Sequence, residues 1–401
     1  MNKILFAVCL LSATVGVEAQ QVPVTSEHKP NSYTLACLAS LTKDCAVKAA
    51  IQTVIDEDFG AERAKVLIGV ARAMLGTGQA EQAAETLILA LDEARSVNIS
   101  LVTQEKITSI APLLAEAGDV AGGLALVQEL SQDTVRDKTL INIAEKLIKA
   151  GNISGAKVAL DQVTNESRAF WRFLGLLPLA PNGALTSLEF DELEVKVQAL
   201  TDKPQQYRGF IRLAVIAGKA GDEARSTALI AVADEMFPSV VGMQARATVT
   251  GERARLMYQA GLDAALVETS YNLAILHGTR VQGQDARIEL AHNVGPIEAA
   301  TGKTELALKR LEYFTNETEK AGYLASLSVT DNAGQVAAAI TDFLGAIEDV
   351  EGAYDRDIIR LTLLEGVLKS KNKALAITII KKLEDDDNQA YGLALLAPLL
   401  A

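Results

Sequence analysis

An all-α solenoid of about nine or ten helix-turn-helix hairpins is the fold class that this sequence predicts, and three observations predict it. Turn glycines recur at positions 78, 118, 151, 183, 221, 261 and 302, in steps of 40, 33, 32, 38, 40 and 41 residues. Each lies between two stretches of helical apolar periodicity, which is the signature of stacked two-helix units. The apolar residues make up 49% of the 401 but only 4% of the chain is aromatic, a balance of Ala, Leu, Val and Ile that suits closely packed helices.

Taken in order, the chain begins with MNKILFAVCLLSATVGVEAQ. Lys3 precedes an apolar run over residues 4–17, and Val17-Glu18-Ala19 closes it, the layout of a secretory signal peptide cut after Ala19. About a dozen apolar residues are too few for a membrane span, which needs roughly 20. Cys9 sits inside the run and not after it, which speaks against a lipoprotein. Residues 20–31, QQVPVTSEHKPN, are polar with two prolines and read as a flexible lead-in. From Ser32 to residue 401 helical periodicity hardly stops, so this part reads as one array. A periplasmic or secreted protein is expected.

Cleavage would leave two cysteines, Cys37 and Cys45. On one continuous helix, residues eight apart lie about 12 Å apart, too far for a disulfide. The segment 40–44 can turn the chain and set the two across a hairpin, so a disulfide is expected there, with two free buried thiols as the alternative. His28, His277 and His292 are remote from this pair in sequence, and no metal site or other cofactor is expected.

GTGQ, residues 76–79, looks like a phosphate loop but lacks a following Lys-Ser/Thr and a preceding strand. It reads as a helix corner, because its frame recurs. A small residue lies seven before the turn glycine and another five after it: Ala71 and Ala83, Ala111 and Gly123, Ala144 and Ala156, Ala214 and Ser226. The Gly302 unit keeps Ala307, and the Gly261 unit keeps Ala254 but has Leu266 where a small residue belongs. Weaker units fall around Lys43, Gly334 and Asn372. The small residues let helix A approach helix B, and the glycine supplies the left-handed corner that ends helix A.

This spacing resembles the tetratricopeptide repeat (TPR) family over roughly residues 33–383. The match is best around Gly221, with Phe210, Leu213, Ala214, Ile230, Ala233 and Pro238 in the family's places. Helix A is mostly aliphatic where the family carries Trp and Tyr, and the units run longer than its 34 residues. The resemblance implies a right-handed solenoid with a concave groove lined by one face of each helix A. On this chain that face holds Lys65, Arg72, Lys138, Lys149, Arg208, Lys219, Arg255 and Tyr258. So basic a groove would take an acidic peptide or a free carboxylate of a protein partner; ordinary solvated helix residues are the competing reading.

Residues 170–191, with Pro178, Pro181, Trp171 and Phe173, are irregular and read as a possible bend, the aromatics as an exposed binding spot or as core. EDDD at 384–387 reads as a solvated turn. The apolar end, NQAYGLALLAPLLA, should be tucked against the preceding hairpin or covered by a partner. The sequons at Asn98, Asn152, Asn165 and Asn316 would be glycosylation acceptors in a eukaryotic host.

The net charge of −13 is unsuited to nucleic acid or an anionic membrane, which call for Lys and Arg. No His-Glu-x-x-His, Gly-x-Ser-x-Gly or Cys-x-x-Cys occurs. The expectation is therefore a non-catalytic envelope scaffold or adaptor. The alternative is a helical envelope enzyme or small-ligand-binding protein, to be told apart by a compact pocket with converging polar groups.

Overall fold

The computed structural model describes residues 32–56, 59–330 and 334–400; the expected signal peptide and lead-in lie outside them. Those residues form an all-α solenoid of twenty-one α-helices with no strand. Ten helix pairs follow one another: α1 (Ser32–Ala39) with α2 (Lys43–Asp56), α3 (Gly60–Gly76) with α4 (Ala80–Ser96), and α5 (Ser100–Glu116) with α6 (Val120–Val127). Next come α7 (Asp133–Lys149) and α8 (Ile153–Leu160), α9 (Glu166–Leu176) and α10 (Ser187–Gln198), α11 (Lys203–Lys219) and α12 (Glu223–Met236). Then follow α13 (Met243–Gln259) and α14 (Ala264–Gly278), α15 (Gln284–Ala300) and α16 (Thr304–Lys309), α17 (Glu317–Ser328) and α18 (Gln335–Ala346). The tenth pair is α19 (Ala353–Lys369) with α20 (Lys373–Lys381), and α21 (Asp386–Leu396) ends the chain.

Each turn glycine does what its position requires. Gly78, Gly118, Gly151, Gly183, Gly221, Gly261, Gly302 and Gly334 all have φ between +66° and +105°. The amide after the glycine reaches back into the last turn of helix A: Asp119 N donates to Leu114 O at 2.9 Å, Asn152 N to Leu147 O at 2.8 Å, Asp222 N to Ala217 O at 2.9 Å. That pattern satisfies carbonyls the ended helix would otherwise leave open. The same three residues then cap helix B, their side chains accepting from Gly122 N, Gly155 N and Arg225 N. In the unit placed around Asn372 the left-handed residue is Lys371, φ 58°, and Asn372 is the cap.

The small residues meet where the spacing predicts. Ala71, Ala83, Ala111, Ala144, Ala156, Ala214, Ala254 and Ala307 are all fully buried. Ser226 Oγ donates to Ala214 O at 2.8 Å, and a Cβ at Gly123 would stand 2.6 Å from Ala111 O. The Gly261 unit departs for a local reason. Its cap is Asp263, one residue later than in the Gly118, Gly151 and Gly221 units, so the buried place passes to Val267 and Leu266 is left half-exposed.

The described residues divide into two compact units, those up to residue 139 together with those from residue 380 on, and those between 140 and 379. In the first unit Cys37 and Cys45 form a disulfide across the α1–α2 turn, with Cα atoms 5.5 Å apart. The apolar C-terminal helix finds its contacts far back in the sequence: α21 packs on α2 and α3, where Ala50, Val66, Val70, Ala390 and Ala394 share one core. Gly69 makes the room: a Cβ there would lie 2.7 Å from the Tyr391 ring. EDDD is likewise not a wholly solvated turn, because Asp387 is buried and accepts from Lys65 Nζ at 2.7 Å.

In the second unit the first helices of successive pairs, α9, α11, α13, α15, α17 and α19, pack side by side. The irregular zone is a 3₁₀ turn at Leu177–Leu179 followed by a loop and a capping box between Thr186 and Glu189. Phe173 and Phe190 are core residues, and Trp171 is half-buried. Three of the four sequon asparagines cap helices: Asn152, Asn165 and Asn316 each accept a backbone N–H three residues on.

Two predictions follow from this packing. Gly123→Val drives two methyls towards the Ala111 carbonyl and should lower unfolding free energy by about 1–3 kcal/mol in a urea titration, without loss of helical signal at zero urea. The Glu62 carboxyl, largely buried and facing Asp387, is pushed up to about 8, first by burial and then by that neighbouring charge. A carboxyl held protonated in the fold contributes stability that is complete below its unfolded value and lost as pH rises through the folded one. The protection factors of α21 amides, taken relative to their intrinsic exchange rates, should therefore fall between pH 5 and pH 9, and Glu62→Gln should flatten that dependence; an unchanged slope in the variant would refute the assignment.

Candidate functional site

The eight residues of the predicted basic face have different surroundings in the structure. Lys65 and Arg72 are in the first unit, committed to the C-terminal helix: Lys65 binds Asp387 and Asn388, and Arg72 Nη1 donates to Tyr391 Oη at 2.6 Å. Lys138 is exposed, and Lys149 pairs with Glu145 on its own helix at 2.5 Å. Lys219 in the second unit donates to the carbonyls of Pro178 and Ala180 at 2.6 and 3.0 Å, pinning the irregular loop. Tyr258 is half-buried on α13. Arg208 and Arg255 line a common cleft.

That cleft, of about 490 Å³, lies across α11, α13, α15 and α17 and is lined by Arg208, Arg212, Glu252, Arg255, Asp285, Ile288, Glu289, His292, Asn293 and Glu319. Its anchor is Glu252, 4% exposed. Arg212 donates to Glu252 Oε1 from Nε at 2.8 Å and from Nη2 at 2.6 Å, while Arg208 Nε engages Oε2. Arg212 also donates to Trp171 O at 3.3 Å and lies over the indole, its Cζ 5.6 Å from the ring centroid. Burial alone would raise the Glu252 pKa; the charges of Arg212 and Arg208 overcome it and hold the carboxyl below its ordinary value. Burial lowers the pKa of Arg212 and of Arg255, and the neighbouring guanidiniums add to the effect.

Arg255 is held by neutral groups, Nε donating to Asn293 Oδ1 and Nη1 to Gln259 Oε1, both at 3.1 Å. Three guanidiniums thus crowd one carboxylate. Among the described residues, Arg208 Nη1 and Nη2 and Arg255 Nη2 have no hydrogen-bond partner, so they can receive an anion in bidentate fashion. His292, stacked edge-on against Phe314 and Tyr323 with centroids 5.4 and 5.6 Å away, keeps a lowered pKa, chiefly through burial.

Glu252, Arg212 and Asn293 escaped the sequence reading, although a signal was present. Counted from Gly221, Gly261 and Gly302, all three stand nine residues before the turn, and a residue at that place is presented to the neighbouring first helix. Among the described residues no group of three or more His, Cys, Asp or Glu is placed to hold a metal ion, and no helix is long and apolar enough to cross a membrane.

No protein-family model and no curated protein sequence matches the chain. Among solved structures it is similar to one titled "Circular tandem repeat protein with novel repeat topology and enhanced subunit contact surfaces", with 13% sequence identity and a TM-score of 0.27 over 92% of this chain and 97% of that one.

The site yields a prediction of its own. Glu252→Ala leaves the buried Arg212 guanidinium without its counter-charge and should cost about 3–5 kcal/mol, whereas Arg208→Gln should cost no more than about 1 kcal/mol. Thermal melts of the two variants check the ratio; similar costs would mean that Glu252 is not the anchor.

Proposed function

We propose that this protein is a TPR-like, non-catalytic scaffold or adaptor acting in the cell envelope after secretion, and that it holds a carboxylate of a protein partner at Arg208 and Arg255. One observation carries the reading: two guanidiniums edge a cleft with donors uncommitted, positioned by a buried carboxylate and by neutral amides. Arginines held in this way lose little freedom on binding, which favours specific recognition of a carboxylate. Lys65, Arg72 and Lys219 belong to the fold in this reading and not to the interface. The signal-peptide layout supports the address, and the excess of negative charge supports a protein partner over nucleic acid.

A second reading is favoured by the compactness of the cleft. Its volume of about 490 Å³ and its converging charges also suit a small carboxylate-bearing ligand. The test uses protein 20–401 and the double variant Arg208→Glu/Arg255→Glu, checked for fold by circular dichroism, as baits in an envelope fraction. A partner retained by the unaltered bait and lost with the variant is expected. Equal retention by both would move the interface elsewhere, and retention by neither would leave the small-ligand reading.

A further inference from the structure

The cleft is not uniformly basic, and its polarity carries more information than its arginines. Arg208, Arg212 and Arg255 come from α11 and α13, whereas Asp285, Glu289 and Glu319 come from α15 and α17. Opposite charges lining one cleft would be expected to pair across it. Here they do not: among the described residues neither Arg255 nor Asp285, Glu289 or Glu319 takes part in an ion pair. Arg255 and Glu289 are steadied by neutral partners instead. Asn293 and Gln259 hold Arg255, and Thr248 Oγ1 donates to Glu289 Oε2 at 2.9 Å. Asp285 and Glu319 are exposed, and their carboxylates are uncommitted. The only carboxylate spent on the arginines is Glu252, which leaves the basic wall with a net positive charge.

From this segregation we infer that the cleft takes a dipolar peptide segment, its carboxylate on the α11–α13 wall and a basic side chain on the α15–α17 wall. The inference rests on the reading that this cleft binds a protein partner, and it changes the partner's chemistry from acidic to dipolar. Neighbouring helices lie about 8–10 Å apart and an extended peptide advances about 3.3 Å per residue, so the two charges would stand roughly three residues apart. A purely acidic segment would meet repulsion from Asp285, Glu289 and Glu319 as soon as it extended past Arg255. A purely basic one would meet the arginines. The two walls therefore set the direction in which a segment can lie, and they do so by exclusion as much as by attraction.

The test is isothermal titration calorimetry at low salt with protein 20–401 and three blocked tetrapeptides. These are N-acetyl-Lys-Ala-Ala-Asp-amide, the same peptide with Gln for Lys, and the same peptide with Asn for Asp. The Lys/Asp peptide is expected to bind at least about threefold tighter than either singly charged one, the gain of one partly exposed ion pair. Asp285→Asn/Glu319→Gln should abolish the advantage of Lys over Gln without weakening the Gln/Asp peptide. Arg208→Gln/Arg255→Gln should abolish the advantage of Asp over Asn. Equal binding of the Lys/Asp and Gln/Asp peptides, lost with Arg208→Gln/Arg255→Gln, would overturn the dipolar inference and leave the carboxylate-binding arginines standing. Millimolar peptide producing no heat with any of the three would overturn both.

Discussion

The close crossing of two helices at a left-handed corner is the constraint on which the rest of this structure depends. A Cβ at Gly123 would stand 2.6 Å from Ala111 O, and Ser226 Oγ reaches the Ala214 carbonyl at 2.8 Å, so the two helices of each of these pairs cross with their backbones close together. Closely packed pairs present first helices that can stand side by side, and only then do residues on neighbouring first helices come within hydrogen-bonding reach. Glu252 on α13 meets Arg208 and Arg212 on α11 for that reason. The alanine-rich, aromatic-poor composition is thus a requirement of the repeat and not a neutral preference.

In the pairs turned at Gly118, Gly151 and Gly221, conformation and capping are coupled. The residue after the turn glycine donates back to helix A through its amide and receives the first turn of helix B on its side chain. One Asp or Asn therefore ends one helix and begins the next. Helix capping also accounts for three of the four sequon asparagines, since Asn152, Asn165 and Asn316 use the side-chain oxygen that starts a helix. Lys371 shows that the corner tolerates a residue other than glycine when the cap, Asn372, is retained.

Charge is used in two ways along the first helices. In the first unit Lys65 and Arg72 serve the docking of α21, the ammonium on Asp387 and the guanidinium on the Tyr391 hydroxyl and ring. In the second unit the equivalent face of α11 and α13 is not covered by another helix of that kind, and its arginines edge a cleft. Position in the repeat is the same for Lys65 and Arg208, thirteen residues before their turn glycines, and for Arg72 and Arg255, six before. What differs is the neighbour.

The repeat was legible in the sequence because its causes are local. A left-handed φ selects glycine, a helix crossing selects alanine, and the interval between them is fixed by helical geometry, so the all-α class, the corners and the Cys37–Cys45 hairpin could be read from spacing. One-residue shifts were harder, since moving the cap from 262 to 263 leaves the composition unaltered and only changes which of Leu266 and Val267 is buried. The partners of the basic residues were decided by tertiary structure alone. Lys65 finds Asp387 across 322 residues, and Arg212 finds Glu252 across 40. A side chain's place in the repeat tells which face it occupies, but what stands opposite depends on how the pairs stack, which no local pattern encodes.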